Sequence, residues 1–314
     1  MTDYLARALE LAERGRGTTH PNPVVGAVVV RAGEVVGEGW HERKGGPHAE
    51  VVALGAAGDR ALGSTLYVTM EPCAHHGSTP PCTEAVLAAG VTRVVAASND
   101  PNPKAGGGLD ALRRAGVEVE HADLFAARAQ NEAWRTWVSK GRPFVTYKAA
   151  MTLDGRLAIP GERWISGEES RLLVHELRAA SDAVAVGMGT VHADAPRLDA
   201  RDVDAARQPR RLAFGRGPLP EDSELELRSG EPAEELAALA AQGVQSLLLE
   251  GGPRLAASFL REGLIDKLLL FVAPTLSGDG PRLFAGEVPG LPLSRLANTA
   301  VGNDVLLSAY VNEP

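Results

Sequence analysis

The chain has 314 residues, and its 40 Asp+Glu outweigh 32 Lys+Arg for a formal net charge of −8. That length accommodates two domains of ordinary size, each with its own core, and the acidic balance excludes a basic nucleic-acid footprint. No apolar run approaches the roughly 20 residues of a membrane span, so no membrane partner is expected. The opening MTDYLARALELAERG predicts an amphipathic helix and not a signal peptide, because Asp3, Arg7, Glu10, Glu13 and Arg14 interrupt it; a cytoplasmic address follows. Val24 to Val30 and Val35 to Glu38 predict a hairpin turning at Arg31 to Glu34, and the Gly45-Gly46-Pro47 run predicts a helix starting at His48. A strand over Thr65 to Thr69, a helix over Cys82 to Ala89, a strand over Val91 to Ala97 and a helix opened by Gly106 to Gly108 come next. Asp123 to Lys140 reads as one long, mostly helical stretch with Trp134 and Trp137 packing, and Gly141-Arg142-Pro143 as a linker.

Up to Pro143 the chain carries 15 Lys+Arg and 16 Asp+Glu, and beyond it 17 and 24, so the charge divides as −1 and −7. Anionic ligands therefore need local cations and helix N-termini, not a long-range field. The second half opens with the strand FVTYKAAM (144 to 151). Two apolar runs there end in glycines, DAVAV before VGMGT (Val186 to Thr190) and VQSLLLE before GGP and the helix RLAASFLREG. Each shape can act as a phosphate cradle of free backbone amides, but taken alone it favours a simple turn. Neither is a Rossmann fingerprint, since His192 stands where a third glycine would be. Strands alternating with helices in both halves give an α/β class.

The residues that carry chemistry lie in the first half. His48 precedes Glu50 by two positions, and the only cysteines, Cys73 and Cys82, follow with Pro72 directly before the first. One imidazole and two thiolates supply the three protein ligands of a catalytic zinc, leaving a fourth position for water. Zinc lowers the pKa of that water to about 7, and Glu50 is the natural proton shuttle. This is the His-x-Glu, Pro-Cys, Cys order of zinc deaminases, with eight residues between the cysteines instead of two. Pro80 and Pro81 stiffen the return of that loop. With both thiols assigned to one zinc per chain, none is left for a disulfide, consistent with a reducing compartment.

The segments ARALELAERGRGTTHPNPVVGAVVV, GEGWHERKGGPHAEVVAL, YVTMEPCAHHGSTPPCTEAV and NDPNPKAGGGLDALRRAGVEV together resemble the bifunctional deaminase/reductase family of riboflavin biosynthesis, over nearly the whole chain. The resemblance implies a cytidine-deaminase-like α/β/α layer domain over residues 1–143 and a dihydrofolate-reductase-like α/β domain over 144–314. It implies hydrolytic loss of an exocyclic amine from a diaminopyrimidinone carrying a phosphoribosylamino group, then reduction of the ribosyl group to ribityl with NADPH. The partner is then a small phosphorylated pyrimidine, in a homo-oligomer.

Carried residue by residue, the resemblance places Asn22, His41, His75, Asp100 and Asn102 on the deaminase substrate. It places Ala150, Trp164, Thr190, Asp194 and the turn Gly252, Pro253, Arg254, Leu255 on the cofactor, and Arg178, Leu198, Arg201 and Glu250 on the sugar phosphate. Lys148 and Asp154 fall near the hydride path, Lys148 as a proton donor. The chain departs from the family at Ser78, where Lys or Arg is usual and Lys104 is a substitute cation, and at Glu162 and Ala195, where Ser and Asp are usual. Two other readings stand beside this one: a nucleic-acid base deaminase, disfavoured by the acidic balance, and a deaminase whose second half is a noncatalytic dimerisation or regulatory module.

Overall fold

The computed structural model describes residues 2–77 and 80–314, so the Ser78 departure lies outside the described residues. The chain forms two compact units, one running to Lys140 and one spanning Gly141–Glu313. No helix among the described residues is long and apolar enough to cross a membrane.

The first unit is built on strands β1 (Gly26–Arg31), β2 (Glu34–Trp40), β3 (Thr65–Val68), β4 (Arg93–Ala96) and β5 (Glu118–His121), in the order β2-β1-β3-β4-β5. The β1–β2 hairpin closes at Arg31 and Glu34 as its pattern predicts, and β3, β4 and β5 run parallel. Helices α1 (Thr2–Glu13), α2 (Ala49–Ala57), α3 (Cys82–Ala88), α4 (Gly108–Arg114), α5 (Phe125–Gln130) and α6 (Glu132–Lys140) cover the sheet. Because strand side chains alternate faces, Val28 and Val30 pack with Leu5, Ala8 and Leu11 of α1. Ala27 and Val29 instead join Ala53, Val86 and Leu112 from α2, α3 and α4. The result is an α/β/α sandwich.

The segment expected as one long helix is two. Asn131 breaks it at φ −117 and ψ 25, and its buried amide exchanges two 2.9 Å hydrogen bonds with the backbone of Val24. A side chain that satisfies another segment's main chain fixes its own backbone, and here that outweighs helix continuation.

The second unit contains β6 (Phe144–Thr152), α7 (Glu168–Ala180), β7 (Ala183–Gly187), α8 (Met188–Asp194), β8 (Arg210–Phe214), β9 (Glu226–Arg228), α9 (Pro232–Ala241), β10 (Ser246–Leu249), α10 (Pro253–Arg261), β11 (Lys267–Ala273), β12 (Ser294–Val301) and β13 (Asp304–Tyr310). The sheet order is β12-β13-β11-β6-β10-β7-β8-β9, parallel from β11 through β9, with an antiparallel β12–β13 hairpin on the other edge. Parallel strands covered on both faces read as unbroken apolar runs. Leu247 and Leu249 enter one core with Tyr147 and Phe259, and Leu248 enters the other with Val184 and Val186. Leu249 pairs with Tyr147 on one side and Ala185 on the other, so β10 and β7 end near the level of Lys148, while β6 runs on beside β11 to Thr152. That edge is where open α/β sheets place ligands.

One close approach seats the helix that starts at His48. A Cβ on Gly39 of β2 would lie 2.5 Å from Ala53 N and 2.7 Å from Ala49 O. Gly39→Ala is therefore expected to destabilise the first unit by about 1–3 kcal/mol or more, read as a lower denaturant midpoint for that unit. Gly33→Asn, at a φ of +85° with nothing within 4 Å, is the near-neutral control.

Candidate active sites

In the first unit three elements deliver the ligand atoms. His48 is the N-cap residue of α2, Cys82 the first residue of α3, and Cys73 lies in the loop after β3. Their ligand atoms all lie within 4.8 Å of one another, with His48 Nδ1 3.1 Å from Cys82 Sγ and 3.6 Å from Cys73 Sγ. The Cys82 backbone N–H donates to Cys73 Sγ at 3.4 Å. Contact with Cys82 first, and then with His48, holds the Cys73 thiol well below its usual range, while the same contact pushes Cys82 up. Two sulfurs this close share one proton unless a cation lies between them. A buried set of one imidazole and two sulfurs fits zinc in both donor type and number.

Glu50 sits two residues into α2, 3% exposed, and burial pushes its carboxyl up to about 7. A cation on the ligand set would draw it down again, which leaves a group able to take or give a proton near neutrality. The ligands open on a pocket of about 310 Å³ lined also by Asn22, His41, His75, Asp100, Asn102, Trp134 and Trp137. All five residues that the resemblance assigns to substrate are thus brought together. Trp134 and Trp137, expected only to pack, are part of the wall.

Inside this pocket the hydrogen bonds run in one direction. His41 Nδ1–H donates to Pro47 O at 3.0 Å, which leaves Nε2 to accept from the Asn22 amide nitrogen at 3.2 Å. Burial lowers the His41 pKa, so the ring is neutral. Asn22 is then oriented with its Oδ1 left to accept from a ligand. Burial raises Asp100 to about 6, and its Oδ1 accepts the Asn102 N–H at 2.8 Å. Lys104 is exposed, and its backbone N–H donates to Asn102 Oδ1 at 3.1 Å.

Glu71 escaped the sequence reading. Its carboxylate accepts backbone N–H groups from Asp100 at 3.1 Å and from Gly107 and Leu109 at 3.0 Å each, clamping the Asp100 loop and the start of α4. No spacing rule announces such a contact, since the partners lie 29 to 38 residues away.

In the second unit a cavity of about 920 Å³ opens at the strand ends. Lys148, Ala150, Trp164, Arg178, Thr190, Asp194, Arg201, Glu250, Gly252 and Pro253 all line it. Arg178 grips Glu250 with both oxygens, Nε–Oε1 2.6 Å and Nη2–Oε2 3.0 Å, and Lys148 Nζ lies 3.6 Å from Oε2. Burial pushes Glu250 up, but Lys148 and Arg178 outweigh it and hold the carboxylate ionised. Burial also lowers Lys148, against the attraction of Glu250, making its proton easier to give.

NADPH fits this cavity on two grounds. Its volume is near the upper end for ligand pockets, and α10 begins at Gly252-Pro253 with no side chain capping its amides, which leaves them for phosphate. Glu162 lines the cavity but is exposed, so its charge is solvated. Ala195 ends α8 in the left-handed region at φ 41, a conformation that glycine or the family's aspartate adopts more readily.

Four expected residues do not line the cavity. Asp154, placed by resemblance beside the hydride path, has its carboxylate engaged by Thr152 Oγ1 at 2.6 Å, Ser277 N at 3.0 Å and Gly278 N at 2.8 Å. It holds the loop after β11. Leu198 is 2% exposed within the core shared with Val184 and Val186. Leu255 packs under Gly187 and Gly251, and Arg254 faces solvent.

Together these features define a two-domain enzyme, one unit a zinc deaminase and the other a reductase. The cytidine and deoxycytidylate deaminase zinc-binding region matches residues 1–98, and the RibD C-terminal domain matches residues 143–307. The chain is 42% identical to the riboflavin biosynthesis protein RibD of Aquifex aeolicus, over 88% of each chain. Against RibD of Mycobacterium tuberculosis H37Rv it is 42% identical over 98% of this chain and 96% of the relative. Among solved structures, Acinetobacter baumannii RibD superposes with a TM-score of 0.85 at 36% identity, covering 98% of both chains. A Thermotoga maritima diaminohydroxyphosphoribosylaminopyrimidine deaminase/5-amino-6-(5-phosphoribosylamino)uracil reductase gives 0.81 at 33% identity, over 98% of this chain and 97% of that one. The chain belongs to the RibD family of bifunctional riboflavin biosynthesis enzymes.

If His48, Cys73 and Cys82 hold the metal, elemental analysis of purified protein will find one zinc per chain. Cys73→Ser and Cys82→Ser are each expected to cut retention by 10-fold or more against a competing chelator, with the second unit's NADPH binding unchanged.

Proposed function

We propose that the first unit (1–143) deaminates 2,5-diamino-6-(5-phosphoribosylamino)pyrimidin-4(3H)-one to 5-amino-6-(5-phosphoribosylamino)uracil, and that the second (144–314) reduces the ribosyl group of that product to ribityl with NADPH. The convergence of His48, Cys73 and Cys82 beside buried Glu50 carries the reading. Zinc, when bound, makes water nucleophilic at neutral pH, and NADPH supplies the two electrons of the reduction.

Glu50 takes a proton from the attacking water and returns one to the departing amine, so that water adds and ammonia leaves. Asn22, oriented by His41, accepts from the pyrimidine edge, and the Asp100–Asn102 turn held by Glu71 faces the ribose phosphate. The aromatic wall of Trp134 and Trp137 excludes water from the ring. In the second unit Lys148 gives a proton to the opening ribosylamine, and Glu250 keeps that ammonium charged until it does so. Arg178 and Arg201 receive the anionic end of the sugar phosphate, and Trp164, Thr190, Asp194, Ala150 and the Gly252-Pro253 turn flank the cofactor.

A cytoplasmic location belongs to this reading, since two cysteines committed to metal and none to a disulfide agree with a reducing compartment. So does a homo-oligomer. The edge strand β12 is exposed along most of its eight residues, with Leu296 at 73%, and edges of that kind are ordinarily covered.

Glu50→Gln is expected to slow deamination by about 10²–10⁴-fold with zinc content and NADPH-dependent reduction intact. Lys148→Met is expected to do the reverse, removing reduction and leaving deamination. Product chromatography on the diaminopyrimidinone phosphate, run beside NADPH oxidation on the deaminated intermediate, separates the two. Loss of both activities in either variant would contradict two independent sites.

A further inference from the structure

His175 is a further titratable side chain of the second unit's cavity. It lies on α7 one turn before Arg178, is 8% exposed, and lines the large cavity together with Arg178 and Arg201. Its Nδ1 is 3.1 Å from the carbonyl oxygen of Asp199, and Arg178 Nη1 donates to that same oxygen at 3.3 Å. A bare Nδ1 lone pair would be repelled by a carbonyl oxygen at that distance, so Nδ1 carries the proton and donates. The alternative, Arg201 N–H onto an unprotonated Nδ1, is longer at 3.4 Å. In a neutral ring Nε2 is then an uncommitted lone pair. It meets no hydrogen-bond partner among the described residues.

The loop so pinned delivers the second arginine. Asp199 Oδ1 accepts from Arg201 Nη1 at 2.6 Å, and its Oδ2 accepts from Arg197 Nη2 at 2.7 Å. One residue is thus held at its carbonyl by His175 and Arg178, and at its carboxylate by Arg201. Imidazole and two guanidinium groups meet at one corner of the cavity.

We propose that His175 is a third phosphate-binding side chain of the reductase site, its Nε2 donating to the substrate's phosphate once protonated, beside Arg178 and Arg201. The inference rests on the proposed function, which brings a sugar phosphate to this corner.

The charged groups that line the cavity with His175 are Lys148, Glu162, Arg163, Glu168, Glu169, Arg171, Arg178, Asp194, Arg201, Asp202 and Glu250; of all charged groups, Arg178, Arg201 and Asp199, which does not line it, act on the ring directly. Burial, then Arg178 and Arg201, lower the His175 pKa, so the ring is neutral at neutral pH. A bound dianion offsets both arginines and favours the imidazolium. Binding near neutrality then takes up a proton, and affinity rises as pH falls toward the free ring's pKa.

Isothermal titration of the full chain with ribose 5-phosphate, in two buffers of different ionisation enthalpy, tests this. His175→Asn keeps a donor at the Nδ1 position for Asp199 and deletes Nε2. His175→Gln places an amide donor near Nε2, and NADPH binding reports whether either variant keeps its fold. Wild type is expected to take up protons beyond those due to the ligand's own titration. His175→Asn should bind about tenfold more weakly and lose the excess uptake, while His175→Gln recovers affinity without uptake. If His175→Asn matches wild type in affinity and uptake while Arg201→Ala is weakened, the role of His175 is overturned and the phosphate site stands. If ribose 5-phosphate does not bind wild type at all, the phosphate-site reading falls and takes this inference with it.

Discussion

Two sulfurs and an imidazole nitrogen within 4.8 Å of one another in a buried corner are a costly arrangement for a bare chain. A cation among them, in place of the shared proton, gives all three ligand atoms a bonding partner at once. Much of the first unit serves to hold that corner shut. Gly39 lets α2 lie directly on β2, so His48 meets the sheet edge at the helix's first turn. Gly108 does the same for α4, where a Cβ would fall 1.7 Å from Pro72 O, the residue before Cys73. The backbone on both sides of the ligand set is therefore packed to contact, and its metal affinity is a property of the fold as much as of the three side chains.

The second unit solves a related problem with protein charges alone. The Glu250 side chain is only 10% exposed, and an isolated carboxylate there would tend to take up a proton. Arg178 from α7 and Lys148 from β6 keep it ionised, because the parallel register brings Tyr147, Leu249 and Ala185 level and so places the next residues of β6 and β10 side by side. A single anion shared by two cations leaves net positive charge at the strand ends. That local charge suits the anionic ligand of the proposed reaction, and it is set by these three residues and not by the overall charge of the chain.

Strand and helix positions were legible because period-two and glycine signals are local. The β1–β2 hairpin, the helix start at His48 and the EGGP turn all depend on neighbours a few residues apart. The zinc set was legible for a different reason: cysteine is rare here, and a His-x-Glu with two later thiols leaves few alternative chemistries. What could not be read was any contact whose partner is distant in sequence. Asn131 looks like one more polar residue within a helical stretch, yet its bonds to Val24 cut that stretch in two. Trp134 and Trp137 carry an apolar signal that says buried, without saying that one buried surface is a pocket wall.

Carboxylates illustrate the same limit most sharply, because an acidic residue's type does not say which distant backbone amides it will hold. Asp154 binds the amides of Ser277 and Gly278, Asp304 those of Gly167 together with the Ser170 hydroxyl, and Asp182 those of Gln245 and Ser246. Glu71 does so in the first unit. Each satisfies main-chain donors at a loop or helix start that would otherwise be orphaned, and an ionised acceptor makes the stronger bond. Asp304 is instructive: it reaches across 134 to 137 residues to the start of α7, the helix that carries His175 and Arg178. Part of the chain's acidic excess is thus internal scaffolding. In the second unit that scaffolding leaves Lys148, Arg178 and Arg201 on the cavity wall beside Glu250, so the cations there are local and owe nothing to the overall charge.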